Sequence, residues 1–137
     1  MIRVYFASKL KHAEKWREIC AENSHLIAHA RWLKHNVLGT PDDQLQAREF
    51  WLQDEQDVRD ADCVIVYAEP EDHLRGALVE AGIAIATGVP VIVVGDHPDY
   101  GTWRHHPGVV GFATLDAAIL FMRGLTPSYE CMKRTRA

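Results

Sequence analysis

The sequence predicts a single-domain α/β protein with a flavodoxin-like or Rossmann-like three-layer fold, built around a parallel sheet of about five strands. Strand and helix patterns alternate along all 137 residues, which is typical of parallel sheets covered by helices on both faces. The segments at 63–67 and 91–94 are unbroken apolar runs, as strands buried on both faces usually are. A hydrophobic content of 47% and a charged content of 25% are those of an ordinary globular domain.

The first half of the chain is predicted to hold two strands and two helices. A β-rich run predicts a strand at 2–7, and apolar residues at helical spacing predict a helix at 10–21. A second apolar run predicts a strand at 25–33, followed by a loop at 36–43 that contains glycine, proline and two aspartates. A helix is predicted at 43–60. Its candidate buried residues are Leu45, Phe50, Trp51, Leu52 and Val58.

The second half continues the alternation of strands and helices. After the strand at 63–67, a helix is predicted at 74–87, with Gly88 as its left-handed C-terminal cap. A strand at 91–94 comes next, and a polar loop follows it. The last predicted elements are a strand at 109–113 and a helix at 115–123.

Charge and cysteine content exclude several classes of protein. A net charge of −4 leaves no basic surface for nucleic acid, and no apolar stretch is long enough to span a membrane. The three cysteines Cys20, Cys63 and Cys131 form no CxxC pair, which argues against a disulfide scaffold and favours a reducing, cytoplasmic location. We therefore expect a cytoplasmic domain at 1–125, with a polar tail at 126–137, that acts on a small molecule.

Glu80 is the only charged residue in the twenty residues from Gly76 to Gly95. A carboxylate in so apolar a segment is costly to bury unless a partner stabilises it. It lies near the N-terminal end of its predicted helix, where the helix dipole favours the ionised form. An ionised and poorly solvated carboxylate facing a pocket can act as a nucleophile. The alternative is a glutamate that points to solvent from an amphipathic helix.

A second acidic cluster precedes the third strand. Most of its members are expected to form a solvated helix face, with Asp62 as a turn or cap residue before the strand. Its members are Asp54, Glu55, Asp57, Asp60 and Asp62.

Three segments together resemble the nucleoside 2-deoxyribosyltransferase family, which includes deoxynucleoside 5′-monophosphate N-glycosidases. The first strand reads Val4-Tyr-Phe-Ala-Ser8, an aromatic-containing strand that leads into a small-residue loop. Asp54 lies eight residues before Asp62, in the Ala-Asp pair that precedes an apolar strand. The pattern Gly-x-x-x-Glu-x-Gly-x-Ala at 76–84, followed by Gly-x-Pro-Val, is the most specific part. The resemblance extends from residue 2 to about residue 120.

The resemblance implies roles for three residues. Glu80 would be the nucleophile at the anomeric carbon, Asp54 would assist at the base, and Tyr5 would position the nucleophile. These groups suit the chemistry, because cleavage of an N-glycosidic bond develops positive charge on the sugar and negative charge on the leaving base. No cofactor is implied, and the family's sites lie near subunit contacts, which implies a homo-oligomer.

The sequence departs from the family where the 5′ end of a substrate would bind. Relatives carry Asp or Ser six residues before the nucleophile, and this chain has Leu74, followed by Arg75. We expect Lys9, Lys11 and Arg75 to hold a 5′-phosphate, although each could instead be a solvated surface cation. Arg75 could also turn toward Glu69 or Asp72, which would leave an apolar wall suited to a free nucleoside.

Several other residues are candidate substrate contacts, and two histidine pairs are considered as metal ligands. Ser8 and Gly76 are candidate substrate contacts, because they belong to the family-like segments. Trp32 is expected to stack on the nucleobase. Trp103 could act as a lid or an interface residue. The pairs His25/His29 and His105/His106 have no partner pattern that supports zinc, so no metal site is expected.

The leading hypothesis is an enzyme that cleaves or transfers the N-glycosidic bond of a deoxynucleoside or its 5′-monophosphate. One alternative is a non-catalytic nucleotide-binding module, which the missing acid at Leu74 would favour. Another is a glycohydrolase for NAD or nucleotide sugars. The chain lacks a GxGxxG turn, so redox chemistry on a dinucleotide is not expected. A small-residue surface on the Glu80 helix predicts at least a homodimer. Its members are Gly76, Ala77, Ala81, Ala84 and Ala86.

Overall fold

Five parallel strands form one sheet in the order β2-β1-β3-β4-β5 in the computed structural model, which describes residues 1–34 and 44–125. The strands are β1 (Ile2–Ala7), β2 (Leu26–Ala28), β3 (Cys63–Val66), β4 (Val91–Val94) and β5 (Val109–Phe112). The helices are α1 (Ala13–Glu22), α2 (Gln44–Asp60), α3 (Gly76–Thr87) and α4 (Leu115–Arg123). Three short 3-10 turns complete the described elements, at Leu10–His12, Arg31–Lys34 and Thr102–His105. The predicted single-domain α/β fold is confirmed.

The helices cover both faces of the sheet, so the architecture has three layers. Successive side chains of β1 point to opposite faces. Tyr5 reaches Glu80 of α3, whereas Phe6 stacks on Trp16 of α1 with ring centroids 4.7 Å apart. On the α1 side, Arg123 at the end of α4 donates to Asn23 just after α1. Thus α3 packs on one face, and α1 and α4 pack on the other.

The strand order places a crevice beside β1. The chain runs outward from β1 to β2 on one side, and from β1 through β3, β4 and β5 on the other. Loops that leave the carboxyl ends of β1 and β3 therefore diverge, and ligands of such sheets bind at this point. β1 and β3 are held in register by pairs such as Tyr5 with Val64.

The helix α3 packs its small residues against the sheet. Ala77, Ala81 and Ala84 are buried, and Gly88 ends the helix with φ of 77°, a left-handed conformation that glycine adopts readily. The proposed subunit-contact surface of small residues is therefore wrong for these three alanines, because they are covered within the protomer.

Element boundaries differ from the predictions mainly where side chains bind the backbone. The predicted strand at 25–33 pairs with β1 only over Leu26–Ala28, because the Asp57 carboxylate then accepts from the Arg31 N–H and the chain turns. The predicted helix at 74–87 begins at Gly76, since the Leu74 N–H is bound by Asp99. The segment at 10–21 opens with a 3-10 turn, and the strands at 63–67 and 109–113 each end one residue earlier than predicted.

The helix α2 turns an unexpected face inward. Leu45, Trp51 and Leu52 are exposed by 75%, 40% and 49%, so their predicted burial is wrong, whereas Val58 is buried as predicted. The inward residues are instead acidic: Asp57 is buried and Asp54 is half-buried. The prediction of a mostly solvated acidic face is therefore wrong.

Two predicted segments lie outside the described residues: the loop at 36–43 and the tail at 126–137. Among the described helices, none is long and apolar enough to cross a membrane.

Candidate active site

Glu80 is buried against the sheet and bound by Tyr5. Its carboxylate accepts a hydrogen bond from the Tyr5 hydroxyl through Oε2, and the side chains come from α3 and β1, 75 residues apart in sequence. Glu80 is only 7% exposed and Tyr5 is fully buried. The solvent-facing alternative for Glu80 is therefore wrong.

The surroundings of Glu80 oppose its ionisation. Burial raises the pKa of Glu80 to about 8, the hydrogen bond from Tyr5 acts in the opposite direction, and the nearby charge of Asp54 adds to the rise. The pKa of Tyr5 is raised far above its usual range, first by burial and then by the charge of Glu80. Tyr5 therefore stays protonated and serves as a hydrogen-bond donor.

Asp54 lies on the inward face of α2 with one oxygen unused. Its Oδ1 is buried and has no hydrogen-bond partner among the described residues. Burial raises the pKa of Asp54 to about 6, the charge of Asp57 raises it further, and Arg31 lowers it. A half-buried carboxyl group with a raised pKa and an unsatisfied oxygen can exchange a proton with a bound molecule.

Asp57 and Arg31 stand beside Asp54 and were not singled out by sequence reasoning. The Asp57 carboxylate accepts from the Arg31 backbone N–H at 2.8 Å and from its Nε at 3.0 Å. Asp57 lies one helical turn after Asp54, so the two side chains share a face. The only sequence signal was the i, i+3 spacing of the two aspartates. Asp62 instead binds Arg3, whose backbone N–H it accepts at 2.8 Å, and is structural as predicted.

The predicted base-stacking residue Trp32 lies in the 3-10 turn Arg31–Lys34 rather than in a strand. It is buried, with 7% of its surface exposed, and its Nε1 donates to the Phe6 carbonyl at 3.0 Å. This hydrogen bond fixes the turn against β1 at Phe6, the residue that follows Tyr5 in the sequence. The Ser8 hydroxyl oxygen accepts a hydrogen bond from the Trp16 Nε1 at 2.7 Å, so the hydroxyl already has one partner within the protein.

The three predicted phosphate-binding cations have different partners. Lys11 pairs with Asp72 at 2.7 Å and with Glu71 at 3.2 Å. Lys9 and the exposed Arg75 form no ion pair within residues 1–34 and 44–125. Arg75 thus does not turn toward Glu69 or Asp72.

The start of α3 is occupied by a carboxylate from a later loop. Asp99 Oδ2 accepts from the Leu74 N–H at 2.7 Å, just before the helix begins. Gly76, the first residue of α3, lies close to the Trp51 ring, since a Cβ there would be 3.4 Å from it. Trp103 packs edge-on to Tyr100 in the same late loop.

His12, Glu69 and Asp72 bring three possible metal-ligand atoms within 4.8 Å of one another. His12 Nε2 lies 2.8 Å from Asp72 Oδ2, and Lys15 pairs with Glu69 at 3.2 Å. Burial opposes ionisation of Asp72, but hydrogen bonds from Lys11 and His12 hold its pKa well below its usual range. Because lysine ammonium groups already balance these carboxylates, the cluster is an ion-pair network that joins the loops after β1 and β3.

The fold is shared with two solved structures. The CMP N-glycosidase BcmB of Clostridium botulinum has a TM-score of 0.53 and 17% identity, over 88% of this chain and 98% of that chain. A conserved protein of Enterococcus faecalis V583 has a TM-score of 0.52 and 17% identity, over 98% of this chain and 96% of that chain. No curated protein matches the sequence.

A sequence-family model covers most of the chain. The model described as nucleoside 2-deoxyribosyltransferase matches residues 3–111, which contain Tyr5, Asp54 and Glu80. The resemblance carried by those segments is thereby confirmed at the level of the family. The chain belongs to the nucleoside 2-deoxyribosyltransferase family, whose chemistry is the cleavage or transfer of N-glycosidic bonds.

Proposed function

We propose that this protein cleaves or transfers the N-glycosidic bond of a deoxynucleoside or its 5′-monophosphate, with Glu80 as the nucleophile. The observation that carries the proposal is the buried Glu80 carboxylate held by Tyr5, together with the raised pKa of Asp54, whose charge acts on Glu80. A structural ion pair would not need two acidic groups that both resist ionisation. Such a pair of carboxyl groups is suited to proton transfer and nucleophilic attack.

The division of labour follows from the contacts. Tyr5 holds Glu80 Oε2, which leaves Oε1 to attack C1′ of the sugar. The C1′–N bond breaks, its electron pair goes to the base, and Asp54 delivers a proton to that base. The resulting glycosyl ester on Glu80 is released by water in hydrolysis, or by a second base in transfer.

The protonation states of the two acids are linked. The nucleophile must be ionised and Asp54 must carry a proton, so the active form of the pair holds one proton and one negative charge. With pKa values of about 8 for Glu80 and about 6 for Asp54, a single negative charge persists near neutral pH and lies mainly on Asp54. The active arrangement, with the proton on Asp54, is the minor form of this singly ionised pair, and the two pKa values belong to the pair as a whole. A bell-shaped pH dependence of kcat/KM is expected, with its limbs near these values.

The 5′ end of the substrate is proposed to be a phosphate. Lys9 and Arg75 have no ion partner among the described residues, at the sheet edge that holds Glu80. Arg75 directly precedes the first residue of α3, where anions are favoured. Asp99 opposes this assignment, because its carboxylate already binds the Leu74 N–H. The CMP N-glycosidase named above acts on a nucleoside monophosphate, which agrees with the proposal.

The test is a product assay for free base over a panel of nucleosides and 5′-monophosphates, with and without an acceptor base. Free base without an acceptor indicates hydrolysis, and a new nucleoside with an acceptor indicates transfer. Glu80→Gln is the matched control and should abolish either product. Binding without turnover by the wild type would instead support a nucleotide-binding module, and release of nicotinamide from NAD would support the glycohydrolase alternative.

We also propose a homodimer. The alanines Ala77, Ala81 and Ala84 of α3 are buried, but several large apolar residues on α2 and α3 are exposed, and such residues are enriched at protein interfaces. They are Leu45, Trp51, Leu52 and Val79. Light scattering at micromolar concentration should give twice the mass of one chain, and Val79→Glu should lower it. A monomeric wild type would refute the proposal.

A further inference from the structure

The Arg31–Asp57 pair links two parts of the site that lie on different elements. Asp57 is 5% exposed and projects from α2, one turn after Asp54. Arg31 opens the 3-10 turn that carries Trp32, and its Nη2 also donates to the Gln53 carbonyl at 3.2 Å. The carboxylate therefore receives the backbone N–H and the guanidinium of one residue, a charge-assisted arrangement that is stronger than a neutral hydrogen bond.

The turn Arg31–Lys34 is held from three directions. Asp57 binds it from α2, the Phe6 carbonyl accepts from Trp32 Nε1, and Arg17 of α1 donates to the Leu33 carbonyl at 2.7 Å. Of these three contacts, the one from Asp57 comes from the helix with Asp54, and the Gln53 carbonyl of the same helix adds a further contact to Arg31.

We propose that Asp57, fixed by Arg31, is a positioning residue for the reaction: it locks the turn that carries Trp32 to the face of α2 that carries Asp54. The inference rests on the proposed function, because it assigns Asp57 a role in readying Asp54. Asp57 itself does not contact the substrate. Its hydrogen bonds to Arg31 tie the position of the turn that carries Trp32 to that of the helix that carries Asp54.

The position of Asp57 has an electrostatic consequence for Asp54. The groups whose charges interact with Asp54 are Glu80 of α3, Tyr5 of β1, Arg31 of the turn and Asp57 of its own helix. After burial, Asp57 is the largest influence that favours the protonated form of Asp54, and Arg31 opposes it. Asp57 therefore helps Asp54 to keep the proton that it must deliver to the base.

The test compares Asp57→Asn with Asp57→Glu. Both variants disturb the local geometry, but only Asn removes the charge. In Asp57→Asn, the lower pH limb of kcat/KM, near pH 6 in the wild type, should move down by about one pH unit, the scale of one charge removed one helical turn away. In Asp57→Glu, the same limb of kcat/KM should stay near its wild-type pH, while KM rises. If the limb lies at the same pH in the wild type, in Asp57→Asn and in Asp57→Glu, the inference is overturned.

A second measurement does not depend on turnover. The carboxyl carbon of Asp54, followed by NMR without substrate, should titrate at lower pH in Asp57→Asn than in the wild type. If the wild type cleaves no substrate but this shift is seen, the proposed function fails and the influence of Asp57 on Asp54 stands. An unchanged titration of Asp54 refutes that influence itself.

If Asp57→Asn does not fold, the partner residue offers the same comparison. Arg31 has half of its side chain exposed, so Arg31→Lys and Arg31→Gln are expected to fold. Because Arg31→Gln loses the positive charge that Arg31→Lys keeps, Asp54 should titrate at higher pH in the Gln variant than in the Lys variant. Titration of the Gln variant at the same or lower pH than the Lys variant would refute the electrostatic role.

Discussion

Replacement of Glu80 by glutamine tests the site through both stability and activity. Glutamine keeps the size of the side chain and an oxygen that can accept from Tyr5, but it cannot ionise. In the unfolded chain, glutamate ionises near its ordinary pKa of 4.5, whereas in the folded protein it keeps its proton up to about 8. The wild type therefore loses stability as pH rises across this interval, and the variant does not.

The size of the effect follows from the difference between the two pKa values. At about 1.4 kcal/mol for each pKa unit, the buried charge lowers the free energy of unfolding by about 5 kcal/mol once pH exceeds the folded value. Glu80→Gln should thus gain stability relative to the wild type by about that amount between about pH 5 and about pH 8.5. Asp54 titrates in both proteins, so its own contribution largely cancels in the comparison.

Urea unfolding followed by circular dichroism at several pH values measures the difference directly. Glu18→Gln is the matched control, because Glu18 is exposed on α1, and it should follow the wild type at every pH. The same Glu80→Gln protein should bind ligand but show no turnover. A stability difference that stays constant across the pH range would refute the claim that Glu80 is a buried, titrating carboxyl group.

Three further substitutions probe the neighbours of Glu80. Asp54→Asn should slow the reaction most for bases that leave poorly, because assistance by an acid matters more there; an equal loss for good and poor leaving groups would indicate a positioning role instead. Tyr5→Phe removes the hydrogen bond that lowers the pKa of Glu80, so the limb of kcat/KM above neutral pH should shift upward, and an unmoved limb would contradict this contact. Arg75→Ala should lower kcat/KM for a 5′-monophosphate by about tenfold or more without affecting the nucleoside, whereas Asp99→Asn should raise the preference for the monophosphate. A wild-type preference for the nucleoside that survives Arg75→Ala would refute the phosphate site.

The elements of the fold were largely predictable because their signals are local. The strands β3 and β4 are unbroken apolar runs, β1 is rich in β-forming residues, and Gly88 ends α3 where its left-handed conformation was expected. The start of α3 and the end of β2 were misplaced. Both depend on carboxylates from residues far along the chain, Asp99 and Asp57, that capture backbone N–H groups. Hydrophobic periodicity carries no information about such distant partners.

The candidate site was predictable where a charge interrupts an apolar segment. Glu80 stands out for this reason, and the family-like segments named Tyr5 and Asp54. The roles of Asp57 and Arg31 could not be predicted, since the acidic residues of α2 resemble an ordinary solvated helix face. Asp57 is buried where it binds Arg31, a partner 26 residues away in the sequence.

The sequence by itself determined the parallel α/β architecture, the family and the central residue of the candidate site, because apolar patterning and short motifs are properties of neighbouring residues. Only the tertiary structure decided which polar groups share that centre. In the folded protein, Asp54 and Asp57 lie on the inward face of α2, and Lys11 pairs with Asp72. Arg75 has no ion partner among the described residues. The physical reason is that the burial and proton affinity of a charged group depend on the partners that folding brings within hydrogen-bond distance.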